Sequence, residues 1–336
     1  MNTDRTTDNA EPDKAGKLFE AAIRAEDAGD SDKALRLYEQ ALLIDPTVSQ
    51  PRIRLASLLY DVGKWKEAIS VARQLTKRWP KFSAAYVVIA RSYGELGRWK
   101  MAERFYRQSL AIKQEPWTWL LLGWALDRLK RHDEAEECLR KALKVDPDYE
   151  EAHYNLGYIY RTKGKLALAE KHLRRAIEID PKYELAFAEL GQLLADDRAK
   201  EALSLLRRAV KHDPNDGWSR AYLAAALKRL RKLKAADEQY CKLLELWPND
   251  AMSNWLYGDF LAAHGKEWST AEPYLRKAVE IEPKNEWANY YLGKYLLCSD
   301  RNEEAKGFLT KAARQGHSRA RKLLRGIKST RSPKRR

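Results

Sequence analysis

The side chains able to do chemistry are distributed in a way that argues against catalysis. The six histidines, His132, His153, His172, His212, His264 and His317, fall at unrelated positions, and no H-E-x-x-H pair places two of them on one helix face. Carboxylate pairs such as Glu136-Glu137 and Glu150-Glu151 could act as acid and base, yet each lies among Lys and Arg at helical spacing, the pattern of a solvated helix face. Cys138, Cys241 and Cys298 lie far apart without a C-x-x-C pair, so neither a disulfide framework nor a zinc site is signalled. There is no Gly-rich phosphate loop and no G-x-S-x-G elbow. The expectation is a non-enzymatic chain with no catalytic residue, no metal and no cofactor.

Two chemical features remain: eleven tryptophans, and a net charge of +15 that is unevenly placed. Arg319, Arg321, Lys322, Arg325, Lys328, Arg331, Lys334, Arg335 and Arg336 gather nine cations at one end, leaving a mildly basic body. Composition is 44% hydrophobic and 33% charged, which suits amphipathic helices with wetted faces better than a thick layered core. Val and Ile never alternate for long, which speaks against a β fold. Met1 to Lys14 is polar without an apolar run and is expected to be unstructured. No stretch approaches the ~18 apolar residues of a membrane span, and the isolated cysteines suit a reducing compartment, so a soluble cytoplasmic chain is expected.

The elements that would carry these residues are announced by a repeat. Ala34, Ala68, Ala102, Ala135, Ala169, Ala202, Ala236, Ala271 and Ala305 recur at spacings of 33 to 35 residues. A second series of small residues, Ala22, Ala56, Ala90, Gly123, Gly157, Gly191, Ala224, Gly258 and Gly293, precedes it by 11 to 13 residues. A third lies seven residues after the first, at Ala41, Ala142, Ala176, Ala209, Ala278 and Ala312, with Leu75, Ser109 and Leu243 as larger exceptions. Small side chains at fixed registers allow two helices to approach closely. Pro46, Pro80, Pro147, Pro181, Pro214, Pro248 and Pro283 close most units, because proline cannot continue a helix. Nine two-helix units follow.

This pattern resembles the tetratricopeptide repeat family, most closely in His153-Tyr154-Asn155-Leu156-Gly157-Tyr158-Ile159-Tyr160 followed by Ala169, Leu173, Ala176 and Pro181. The resemblance covers about residues 15 to 319, with repeats at 15–48, 49–82, 83–115, 116–149, 150–183, 184–216, 217–250, 251–285 and 286–319. It implies an all-α, right-handed superhelical solenoid of antiparallel helix pairs whose first helices line a concave surface. The pattern is broken where Gln114 replaces a closing proline and where His317 stands in the last repeat. Arg319 to Lys328 reads as a capping helix over the open end, and Ser329 to Arg336 as an unstructured basic tail.

In that family the lining comes from positions 2, 5, 6, 9, 12 and 13 of each first helix, a single helical face. Here that stripe carries Trp117, Trp124 and Arg128 in the fourth repeat, and Tyr154, Asn155, Tyr158 and Arg161 in the fifth. It carries Trp218, Tyr222, Lys228 and Arg229 in the seventh, Trp255 with Asp259 in the eighth, and Trp287, Tyr290, Tyr291 and Lys294 in the ninth. Aromatic residues also belong to the family's packing pattern, which accounts for Trp119, Tyr154 and Tyr160; Trp65, Trp99 and Trp268 sit at turns where the family carries a structural ring. The stripe tryptophans are less well explained by packing. Such rings bury much apolar area at small entropic cost and dominate binding hot spots. Beside Lys and Arg they suggest a groove for an acidic protein segment with aromatic-compatible anchors. The carboxylate clamp and the asparagine ladder known in the family are not expected, since only Asn155 holds the required register, beside residues such as Glu20, Val88 and Leu256. Two alternatives stay open: nucleic-acid association through the basic tail and the rings, and service as the regulatory subunit of a separately encoded enzyme. Partner identity and oligomeric state are not encoded legibly.

Overall fold

A computed structural model describes residues 10–195, 197–264 and 268–329, and among these there are helices and turns but no strands. The chain divides into two compact units, Met1–Pro181 and Lys182–Arg336. The first holds α1 (Ala10–Asp27), α2 (Ser31–Ile44), α3 (Gln50–Asp61), α4 (Trp65–Arg78), α5 (Ser83–Glu95), α6 (Trp99–Ile112), α7 (Pro116–Arg128), α8 (His132–Val145), α9 (Glu150–Thr162) and α10 (Leu166–Ile179). The second holds α11 (Glu184–Leu194), α12 (Ala199–His212), α13 (Gly217–Arg229), α14 (Leu233–Leu246), α15 (Ala251–His264), α16 (Glu272–Ile281), α17 (Glu286–Cys298), α18 (Asn302–Arg314) and α19 (Ser318–Ser329). A single 3₁₀ turn, Trp268–Ala271, leads into α16. Residues 10–14, expected to be unstructured, form the start of α1, which corrects that boundary. The tail residues 330–336 lie outside the described residues, while Ser329 ends α19.

Each first helix packs on the second helix of its own pair, which in turn packs on the next first helix of the same unit. First helices also touch directly, α7 with α9 in one unit and α15 with α17 in the other. Sterics fix this register. All nine recurrent alanines are wholly buried. A Cβ added at Gly157 would lie 2.6 Å from Leu173 Cγ, so glycine here makes room for a leucine whose burial contributes ~1.5–3 kcal/mol. Among the described residues, the turn inside seven of the pairs holds one left-handed residue, supplied by Gly29, Gly63, Gly97 and Gly164, but by Lys130, Arg231 and Asp300 where glycine is absent.

A second regularity secures the turn between pairs. In six repeats a side chain in the first turn of the first helix reaches back six residues and donates to the carbonyl of the closing proline, whereas the sixth repeat has Phe187 at this place, which carries no donor. Arg52 bonds Pro46 at 2.9 Å, Tyr86 bonds Pro80 at 3.0 Å and His153 bonds Pro147 at 3.1 Å. In the second unit Arg220 bonds Pro214, Asn254 bonds Pro248 at 3.2 Å and Asn289 bonds Pro283 at 3.0 Å. Four different side-chain types do one job, satisfying a carbonyl left open at a helix boundary. In the fourth repeat, which lacks the proline, the position is Trp119, with Lys141 Nζ 4.8 Å above its ring.

The outer charges are mostly paired. Glu103, Arg107, Arg131 and Glu134 form a closed ring of ion pairs at 2.6 to 3.4 Å. Glu272, Arg276, Arg301 and Glu304 repeat it at the same register in the second unit, at 2.5 to 2.7 Å. Glu136, offered above as half of a carboxylate pair, is buried in another such network. Burial pushes its carboxyl up, but hydrogen bonds from Lys163 and Tyr160 outweigh this and hold it below the usual range, so it is no general acid.

Candidate functional site

The stripe residues of the first unit come together on α7 and α9. Trp124, Asp127, Arg128, Tyr154, Asn155 and Tyr158 line one cleft of about 240 Å³. Trp124 meets Trp99 edge to face, with ring centroids 4.9 Å apart, and Arg128 lies over the same Trp99 ring at 5.3 Å. Trp99, assigned a packing role from the sequence, thus forms the base on which both stripe residues rest. Asp127 accepts or shares a proton with His132 Nδ1 at 2.9 Å, and Asn155 donates back to the Glu151 carbonyl at 2.7 Å. The Asn155 amide is therefore turned along its own helix. Arg161 stacks over Tyr158 at 5.5 Å. Trp117 stands apart from this cleft, 5.5 Å from the Arg91 guanidinium, which also covers Tyr60 at 4.0 Å.

In the second unit the rings gather more tightly. Trp255 stacks on Tyr291 at 4.8 Å with planes 8° apart, and Trp287 lies 6.0 Å from Trp255 and 6.3 Å from Tyr291. These three come from α15 and α17, whose direct contact sets the spacing. Trp218 and Tyr222 make a separate pair on α13 at 6.3 Å. Arg229 is exposed in the last turn of α13. Burial and the nearby Asp259 carboxylate push the Tyr291 phenol upward, so it remains protonated.

Solvent exposure decides whether these rings are wedged inside. It is 38% for Trp117, 41% for Trp124, 53% for Trp218 and 40% for Trp287, while Trp255 is half-buried. Large rings left this open on a folded chain are uncommon enough to mark a surface of interest.

Two expectations need correction. Tyr290 does not join the stripe surface: it is 7% exposed, stacks on His317 at 4.1 Å and packs with Leu309, Ala312 and Ala320 under α19. The adjacent helix α19 creates this environment. Lys228 and Lys294 do not stand as unengaged cations either. Both reach Asp259, at 3.4 and 2.9 Å, and so share one carboxylate that offsets one of their two charges. Burial lowers the Lys294 ammonium, yet the Asp259 hydrogen bond and charge outweigh it and raise the group above its usual value. Asp259 was visible as a stripe residue, but its bridging role depends on three helices and could not be read from one.

Among the described residues no group of three or more His, Cys, Asp or Glu could hold a metal. Cys138 is buried, and burial pushes its thiol up to about 11; no cysteine forms a disulfide. No described helix is long and apolar enough to cross a membrane.

Family models described as tetratricopeptide repeat match residues 25–91, 85–116 and 120–184. The chain is a tetratricopeptide repeat protein. This tetratricopeptide chain is similar to the general transcriptional corepressor ssn6 of Schizosaccharomyces pombe, at 29% identity over 127 residues, 37% of this chain and 12% of that protein. It is also similar to the protein O-mannosyl-transferase TMTC1 of Homo sapiens, at 30% identity over 146 residues, 42% of this chain and 17% of that protein. The matched stretches thus span under a fifth of those relatives' lengths. A chain in the crystal structure of the APC/C hetero-tetramer Cut9–Hcn1 shares the fold, with a TM-score of 0.64 at 19% identity, covering 79% of this chain and 52% of that one. Repeats of this type and the corepressor relative support a protein-interaction scaffold in general terms.

Proposed function

We propose that this tetratricopeptide array is a non-enzymatic adaptor that holds a segment of a partner protein against the first-helix rings. The observation that carries the reading is the exposure of Trp117, Trp124, Trp218 and Trp287 on the first helices of the fourth, seventh and ninth repeats, three of them at the second position of the repeat. A partner's apolar side chain set against such a ring gains both area burial and dispersion contact, and truncating a hot-spot ring costs ~2 kcal/mol or more. The three stacked rings Trp255, Trp287 and Tyr291 supply the broadest apolar platform. Because Asp259 offsets one of the two charges of Lys228 and Lys294, a single net positive charge remains there, and recognition rests on the partner's apolar anchors with a smaller contribution from an acidic group.

The test begins with affinity purification and mass spectrometry to name the partner, followed by titration with purified protein. Trp218→Ala combined with Trp287→Ala should weaken that complex at least tenfold while far-ultraviolet circular dichroism keeps its helical form. Unchanged affinity, or loss of helicity in place of affinity, would show that the rings serve packing alone.

A further inference from the structure

Beyond the ring face, the second unit carries a larger opening of different chemistry. An open cleft of about 870 Å³ runs between α17 and α19, within the ~300–1,000 Å³ range of ligand-sized sites. Its floor is hydrocarbon: Tyr290 and Leu297 from α17, Leu323 and Ile327 from α19. The three aliphatic side chains are each half-buried, packed on the core beneath and open to the cleft above. Arg319 and Lys322 form the rim. Arg319, Lys322, Leu323 and Ile327 stand at i, i+3, i+4 and i+8, so one helical face presents cations and apolar groups together.

The unspent charge identifies what this face fits. The nearby exposed Arg276 and Arg301 are engaged by carboxylates, in the ring with Glu272 and Glu304. Among the described residues Arg319 and Lys322, both exposed, have no acidic partner at ion-pair distance. One carboxylate, Asp300, lies on the lining but makes no ion pair with either. The sequence that follows α19, Thr330 to Arg336, adds Arg331, Lys334, Arg335 and Arg336 and no acid, so its charge repels the rim instead of satisfying it. A phosphodiester strand would meet the cations but leave the hydrocarbon floor without a partner.

We infer that the cleft between α17 and α19 is a second docking site, independent of the ring face, for an acidic amphipathic segment of another protein. Carboxylates of that segment pair with Arg319 and Lys322 while its apolar side chains fill the floor. Exposed charge pairs alone contribute little, so the site requires both components.

The test is fluorescence anisotropy on the full chain at low salt, with a labelled sixteen-residue probe of Glu and Leu whose leucines recur every three to four residues. Arg319→Glu with Lys322→Glu should weaken it at least tenfold, with helicity and thermal midpoint unchanged because both side chains are exposed. Replacing the probe's Leu by Gln should weaken it similarly, and replacing its Glu by Lys should abolish it. Trp218→Ala should leave it unchanged, which separates this site from the exposed first-helix ring of α13. Equal binding of the Gln probe would reduce the site to bulk electrostatics and overturn the inference. So would an unaffected Arg319→Glu, Lys322→Glu double variant, loss of binding in Trp218→Ala, or a single-stranded oligonucleotide that binds more tightly and loses binding in the same double variant.

Discussion

The first-helix face of α7 and α9 and that of α13, α15 and α17 use the same registers for different ends. In the first unit rings mix with charged and amide groups, giving a small cleft in which Trp124 rests on Trp99 and Arg128 covers the same Trp99 ring. In the second unit rings stack on rings, and the charges collapse onto Asp259. Identical positions on a repeat therefore do not specify a surface. The occupants of the neighbouring repeat do, since a Trp opposite Tyr291 builds a platform and a Trp opposite Asn155 and Tyr158 builds a pocket wall.

The largest expected difference between the two is in stability. Trp255→Ala should cost about 3 kcal/mol, as it removes a half-buried ring packed against two others. Trp124→Ala, at 41% exposure, should cost about 1 kcal/mol. Chemical denaturation of both variants checks this, and equal losses would erase the distinction drawn between platform and wall.

A middle-sized effect is confined to the first unit. His153 and His172 face each other Nδ1 to Nδ1 at 2.9 Å, with Tyr160 stacked on His172. Since His153 Nε2 donates to Pro147, its bare Nδ1 must accept from His172. Burial, then the charges of His153, Lys171 and Arg140, lower His172 to about 4. Burial likewise lowers His153, partly offset by the Pro147 carbonyl and Asp148, with Arg175 reinforcing the fall. The unfolded chain, titrating near ~6.5, therefore takes up protons first. The pair's stabilisation is complete above that pH and is lost as pH falls toward about 4. Thermal midpoints measured between pH 7 and pH 4 should drop, and the drop should be shallower in His153→Gln with His172→Gln. An identical pH profile in that variant would remove the pair from the account.

The smallest effect compares the same turn in both units. Lys130 and Arg231 hold φ of 63° and 57° where other repeats have glycine. Lys130→Gly and Arg231→Gly should each stabilise by about 0.5–1 kcal/mol, the strain relieved less the entropy glycine adds to the unfolded chain. Denaturant midpoints would register the shift, and a loss in either variant would mean the turn is unstrained.

These contrasts also mark what could be read without coordinates. The alanine and glycine registers were legible because a Cβ or a leucine either fits or clashes, a constraint that acts at one position and leaves a periodic trace. The second helix beneath Gly157 was implied for the same reason. Tyr290 was not legible: its register matched that of Trp255, but α19 lies over it, and the final helix has no counterpart in the repeat period. Asp259 was seen on the stripe without its role, because two lysines 31 and 35 residues away converge on it through tertiary packing. The donor to the proline carbonyl was hidden by its variety, as Arg, Tyr, His and Asn leave no shared letter.

That donor has a consequence for how such an array is lengthened. Each bond closes within six residues of chain, so no repeat depends on a distant one to finish its turn. A gene segment duplicated or excised in whole units would set a closing proline before a new first helix, and that junction would be fastened wherever the helix carries Arg, Tyr, His or Asn at this place, as six of the repeats do. Recombination at this period is thereby tolerated, and divergence of the exposed rings can proceed one copy at a time.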